Sequence, residues 1–236
     1  MTQSRAEVRA EASRSSLNRF ILTIVIVVIV VILIIVAGIA LTHSRSETSA
    51  ETRLLASIAS SRVAALVSVS LALNWVFSPP IALIVGIIAT AGVFAVTRSW
   101  VTSLHFVVLV LVTWLGSEVV KVIVHRPRPT ARLADTLVPN PDPDSYPSGH
   151  VCFAVGLGLA FFVLAIRSRV RVIILVLAIL LALITAGSRI YLGIHYPTDA
   201  LASLVFGVAA FVGTETLWRR YARGIFRSRH PQPAAL

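Results

Sequence analysis

The sequence predicts an all-α fold: a polytopic membrane helix bundle of six transmembrane helices, with one further helix lying at the interface or re-entering the bilayer. Two observations predict it, the composition and the length of the apolar runs. Hydrophobic residues make up 57% of the 236 residues and charged ones only 13%, with a mean hydropathy of +0.89, outside the range of soluble domains. The apolar runs recur at lengths near the roughly 20 residues that cross a bilayer core of about 30 Å.

Residues 1–19 are polar, with four Arg set against Glu7 and Glu11, and are expected as a loosely ordered cytoplasmic tail. Phe20 to Thr42 is apolar throughout and reads as a retained first span, since no small-residue cleavage site follows it. After a polar stretch at 43–62, Val63 to Phe77 is apolar but short, and lengthening it backward would bury Arg62 at a cost of about 2.5–3.5 kcal/mol for a central position. Ser78-Pro79-Pro80 interrupts any helix there. Further spans are expected at Ile81 to Thr97, Val101 to Val124, Val151 to Ile166, Val172 to Gly187 and Ala200 to Trp218. A polar, Pro-rich loop separates the third span from the fourth at His125 to Pro147. Residues 20–218 thus form one membrane-embedded domain, and 219–236 a basic cytoplasmic tail, with no internal repeat.

The formal net charge of +11 raises a nucleic-acid partner, but many arginines flank apolar runs, as topology-setting charges do. Anionic membrane lipids are the expected partners and nucleic acid is not. Arg98, the Arg167–Arg171 turn and both tails placed in the cytoplasm put two stretches, Lys121 to His150 and Ser188 to Asp199, together on the extracytoplasmic face. Six crossings satisfy this arrangement if Val63 to Phe77 does not cross. Trp100 and Trp218 then mark the inner boundary and Trp75 the outer, while Trp114 lies deep in a span and fits neither. The single cysteine, Cys152, excludes an intramolecular disulfide and argues against a metal-thiolate centre. Nothing in the chain sets an oligomeric state.

Three polar clusters stand on the outer face. Lys121, the one lysine beside 20 arginines, is followed after six residues by Arg128-Pro129, with Arg126 alongside. An ammonium on an apolar helix marks a functional candidate, although, taken alone, a snorkelling lysine paired with Glu118 is the simpler explanation. Pro147-Ser148-Gly149-His150 precedes an apolar run. Ser148 suits a helix cap, Gly149 permits close approach of a ligand to the backbone, and the helix N-terminus favours an anion. An ordinary cap followed by an interfacial histidine is the alternative. Ser188 to Asp199 reads as a short loop leading into a helix that starts near Pro197, with His195 beside Asp199 and Arg189 nearby. Together these clusters offer cations, a helix N-terminus, two histidines and a carboxylate, the parts of a metal-free phosphoryl-transfer site.

The series Lys121-x6-Arg128-Pro129, Pro147-Ser148-Gly149-His150 and Ser188-Arg189-x5-His195-x3-Asp199 resembles the three-part signature of the type 2 phosphatidic acid phosphatase family, which vanadium haloperoxidases and bacterial acid phosphatases share. The match covers about a third of the chain and leaves its first 100 residues and C-terminal tail untouched. The resemblance implies a six-helix bundle in which His195 is the nucleophile, Asp199 its orienting partner and His150 the general acid and base. It also implies that Lys121, Arg128, Arg189, Ser148 and Gly149 hold the phosphate. It implies a lipid phosphate or pyrophosphate as substrate, hydrolysed with no cofactor and no metal; Asp135, Asp142 and Asp144 lack ligand-like spacing to any His. A lipid phosphotransferase using the same phosphohistidine, and a non-catalytic lipid-phosphate binder or transporter, remain the rival classes.

Overall fold

The computed structural model describes residues 2–43, 50–129, 135–139 and 142–222. The arginines of the C-terminal tail beyond 222, and parts of the loop after Pro129, lie outside them. Every regular element among the described residues is a helix: α1 (Thr2–His43), α2 (Ala50–Ser60), α3 (Ala64–Val76), α4 (Pro79–Thr97), α5 (Trp100–Val124), α6 (Gly149–Leu164), α7 (Arg171–Tyr191) and α8 (Pro197–Leu217). A π-helical turn, Trp218–Ala222, closes the last of them. Five of these, α1, α4, α5, α7 and α8, are long and apolar enough to cross a membrane, and α6 is a shorter apolar helix of 16 residues.

α6 is apolar around its whole circumference and buried along nearly all of its first three turns, which places it at the centre of the bundle. α5, α7 and α8 surround it. Contact with α7 requires a glycine: a Cβ on Gly158 would lie 2.7 Å from the Cβ of Ala178, so the two backbones meet as closely as small residues allow. At the end of the bundle marked by Trp100, His105 Nε2 meets Glu215 Oε2 at 2.5 Å and its ring stacks on Trp218 with centroids 4.6 Å apart. That buried polar knot fastens α5 to α8.

Two expectations change, the form of residues 2–19 and the extent of α7. Residues 2–19 continue α1 as helix instead of forming a loose tail, because Ala, Glu, Arg, Leu and Gln favour helix and neither Pro nor Gly interrupts the chain before Gly38. The Val63 to Phe77 run is a helix, α3, as expected, and α2 precedes it; the two meet at a bend of 116°, in keeping with an interfacial or re-entrant element. Arg62 sits at that elbow, where its guanidinium donates to Tyr191 O at 3.1 Å and to the main chain and carboxylate of Asp135 at 2.7 and 3.0 Å. Finally, α7 runs on to Tyr191, so Ser188 and Arg189 belong to a helix and not to the following loop. The helix start at Pro197 stands as expected, with Asp199 in its first turn.

Candidate active site

The linker of five residues between α7 and α8 carries His195, which is 2% exposed. Arg128 Nη1 donates to its Nε2 at 3.0 Å and to Ile194 O at 2.9 Å. An arginine cannot accept a proton, so Nε2 must carry the lone pair and the ring proton resides on Nδ1. Nδ1 faces Asp199 Oδ2 at 3.6 Å and has no hydrogen-bond partner. The distance is long, as such contacts are in unliganded sites, and the direction is that of an orienting pair.

Asp199, with no exposed surface, is held from three sides. Its Oδ2 accepts from Tyr196 N at 2.8 Å in a capping box. Its Oδ1 accepts from Arg126 Nη1 at 2.5 Å, while the other nitrogen of that guanidinium reaches Glu51 Oε2 at 2.9 Å. Arg126 also lies over the Tyr196 ring, 4.2 Å from its centroid. A relay of hydrogen bonds joins this helix start to that of α6: Ser148 N donates to Ser203 Oγ at 2.7 Å, and Ser203 Oγ donates to Asp199 O at 2.5 Å.

Arg189 is fully buried in the last turn of α7. It donates to Asn74 Oδ1 at 2.7 Å and to Ser70 O at 3.4 Å. His150 Nε2 lies 3.4 Å from the main-chain oxygen of the same Asn74. His150 is within electrostatic reach of Arg189, His195 and Arg128. The two imidazoles and two of the expected cations therefore converge on one volume, beneath the α2–α3 pair.

Carboxylates occupy the rest of the expected anion-binding surface. Asp142 Oδ2 takes Lys121 Nζ at 2.6 Å and Arg128 Nη2 at 3.4 Å, and Arg128 Nε donates to Asp142 O at 2.7 Å. Lys121 also pairs with Glu118 Oε2 at 3.0 Å. Asp142 and Asp144 are thus pinned: Asp144 meets His125 at 3.0 Å, and the strand-like bridge between Pro127 and Asp144 folds the loop back on itself. Gly149 meets a protein neighbour too, since a Cβ there would lie 2.6 Å from Glu118 Oε1. Ser148 occupies the N-cap position but its hydroxyl makes no cap; Oγ is buried and unpartnered. Cost attaches to such a group until a ligand meets it. Among the described residues no three His, Cys, Asp or Glu side chains gather as a metal would need.

Burial takes the His195 imidazole down to about 4, with Arg128 and Arg189 pushing the same way and Asp199 opposing. For Asp142, burial alone would raise the carboxyl, but the hydrogen bond and charge of Lys121 outweigh it and hold it below its ordinary value. Between about pH 4 and 6.5 the unfolded chain binds a proton at residue 195 that the folded chain excludes, so stability rises with pH across that window. The expected result is that wild type loses on the order of 3 kcal/mol relative to His195→Gln as pH falls from 6.5 to 4, read from chemical unfolding in detergent. A constant gap would contradict it.

Three contributors carry no motif signal. Glu51 and Asn74 come from α2 and α3, far from the motifs in sequence, and Arg126 sits inside the first motif at an unassigned position. Ser68, Ser70 and Asn74 in a mostly apolar run are the sequence signs that α3 faces something polar.

The sequence model described as the PAP2 superfamily matches residues 101–223. The chain is 34% identical over 95 residues to undecaprenyl-diphosphatase BcrC of Bacillus subtilis (strain 168), covering 40% of this chain and 45% of that protein. It spans less than half the length of the curated relatives it matches. Its fold is similar to the crystal structure of the first transmembrane PAP2 type phosphatidylglycerolphosphate phosphatase from Bacillus subtilis, with a TM-score of 0.69 and 21% identity over 81% of this chain and 95% of that one. That coverage exceeds residues 101–236, so the shared fold reaches into the helices that precede the matched segment. With a family match across more than half of its length, and the three signature clusters of that family gathered at one end of the bundle, this chain belongs to the PAP2 superfamily.

Proposed function

We propose that this chain is an integral membrane lipid phosphatase that removes the terminal phosphate of a lipid diphosphate, a polyprenyl diphosphate foremost, at the extracytoplasmic face, with both termini in the cytoplasm. The observation that carries the reading is His195 itself: a buried neutral imidazole whose Nε2 lone pair lies against an arginine and whose Nδ1 proton points at a buried carboxylate. Binding alone needs no nucleophile with an orienter.

In the reaction, His195 Nε2 attacks the terminal phosphorus and the bond to the bridging oxygen breaks. His150 gives that oxygen its proton, so the lipid monophosphate leaves and a phosphohistidine remains. His150 then takes a proton from water, the hydroxide attacks phosphorus, and inorganic phosphate departs as the ring regains its lone pair. Asp199 stabilises the cationic ring between the two steps. Arg128 swings from Nε2 onto the phosphoryl oxygens, where Arg189, Ser148 Oγ and the first turn of α6 at Gly149 join it. Lys121 joins once Asp142 yields.

The similarity to an undecaprenyl-diphosphatase favours a diphosphate over phosphatidate or phosphatidylglycerol phosphate. Phosphate release from a polyprenyl diphosphate, phosphatidate and phosphatidylglycerol phosphate, measured in one detergent with excess chelator, tests this. The diphosphate is expected to give the highest kcat/KM with chelator present. Release from none of the three ends the reading, and transfer to an added lipid alcohol in place of water would convert it to a transferase.

Asp142 stands where the substrate's charge must go. Asp142→Asn is expected to tighten competitive inhibition by inorganic phosphate about three- to tenfold, because one like charge no longer competes for Lys121 and Arg128. Weaker inhibition in this variant would show instead that Asp142 organises the cations.

A further inference from the structure

We infer that Asn74, on α3, determines specificity for the leaving group: its side-chain amide nitrogen donates to the second phosphate of a lipid diphosphate and so favours diphosphates over monoesters. This deepens the function proposed above and rests on it. α3 precedes the segment matched by the family model, residues 101–223, so no signature cluster assigns Asn74 a part. Its side chain nevertheless meets the site. Arg189 Nη1 can only donate, so the Asn74 atom it reaches at 2.7 Å is Oδ1. That bond fixes the planar amide, whose other arm, Nδ2, donates to no described residue. The main-chain oxygen of the same residue lies 3.4 Å from His150 Nε2. Asn74 thus joins Arg189, which holds the transferred phosphate, to His150, which protonates the departing oxygen.

Charge selects the ligand. Lys121, Arg126 and Arg128 each meet a carboxylate, whereas the buried Arg189 has uncharged partners: Asn74 Oδ1, Ser70 O and Ser188 Oγ. A buried guanidinium so placed keeps its full charge for an incoming anion. An Asp at position 74 would cancel that charge; the amide holds Arg189 without cancelling it and turns a second donor toward the same anion. What leaves then decides the use of that donor. A diphosphate releases a lipid monophosphate, whose charged oxygens still accept hydrogen bonds after His150 has protonated the bridging one. A monoester releases an alcohol, whose one oxygen already carries the His150 proton. Hydrogen bonds to charged oxygens are the stronger kind, and a site built to donate to a group rejects the analogue that lacks it.

Competitive inhibition of phosphate release by two probes tests this: inorganic phosphate, and methylenediphosphonate, a diphosphate analogue whose bridging atom is carbon and resists cleavage. Wild type is expected to bind methylenediphosphonate at least about tenfold more tightly than phosphate. Asn74→Ala is expected to reduce that preference by about tenfold or more, beyond any loss common to both probes through Arg189. Asn74→Asp, nearly isosteric and still an acceptor for Arg189, is expected to reduce it at least as far, and it repeats the test should Asn74→Ala not fold. Ser188→Ala supplies the control, since it removes a contact of Arg189 Nε at 3.3 Å and leaves Asn74 in place. It is expected to weaken both probes equally. A preference unchanged in the Asn74 variants, or absent from wild type, overturns the role of Asn74 while the phosphatase stands. Failure of wild type to release phosphate from any lipid phosphate overturns the phosphatase reading and this inference with it.

Discussion

His195→Ala is expected to lower phosphate release by at least about 10⁴-fold, since loss of the proposed covalent nucleophile would remove the reaction path itself and not one stabilising contact on it. The surroundings are expected to survive the change. Arg128 keeps its bonds to Ile194 O and Asp142 O, and Asp199 keeps Arg126 and the Tyr196 amide. Phosphate release and thermal unfolding, measured on the same purified protein in detergent, separate the two effects. Release near the wild-type rate from folded His195→Ala would rule out the phosphohistidine.

The second large effect is expected on stability. Arg126 is 3% exposed and binds two carboxylates, Asp199 and Glu51, through separate nitrogens. Arg126→Ala leaves a buried Asp199 without its cation, and breaking a buried pair from one side costs about 3–5 kcal/mol. Glu51→Gln removes one arm only and keeps Asp199 paired, so its cost should be a fraction of that. Arg126→Lys restores a charge but not the planar fork that spans both partners, and is expected to fall between. Chemical unfolding of the three variants checks the order. Arg126→Ala as stable as Glu51→Gln would mean that Asp199 finds another partner.

Much of this protein is legible in its sequence, because a membrane-spanning helix announces itself by its own residues. The apolar runs fix α4, α5, α6, α7 and α8 and the C-terminal end of α1 to within a few positions, and Pro197 with Asp199 marks a helix start from local chemistry alone. The convergence of His150, Arg128, Arg189 and His195 follows from their placement at one end of those helices. What stays hidden is partner choice across distance. Nothing near Arg126 indicates that its second carboxylate comes from 75 residues earlier, and nothing near Lys121 says that Asp142 will take its ammonium. The extent of α7 is hidden for another reason. Ser188 and Arg189 look like loop residues by polarity, yet they remain helical because Ser70 and Asn74 of α3 give Arg189 polar partners inside the bundle. The α2–α3 bend is equally a product of tertiary contacts.

That bend sets an order of assembly. Its elbow is fastened at two places: Val63 N donates to the Tyr191 hydroxyl at 2.6 Å and Arg62 to the Tyr191 carbonyl, while Arg62 also holds Asp135. Tyr191 is made 128 residues after Val63. Until α7 is inserted, the hairpin lacks its Tyr191 mooring and Asn74 lacks Arg189, although Asp135 and Arg126 already offer partners to Arg62 and Glu51. A nascent chain halted before Arg189 therefore carries all of α3 without the partners that α7 supplies to it.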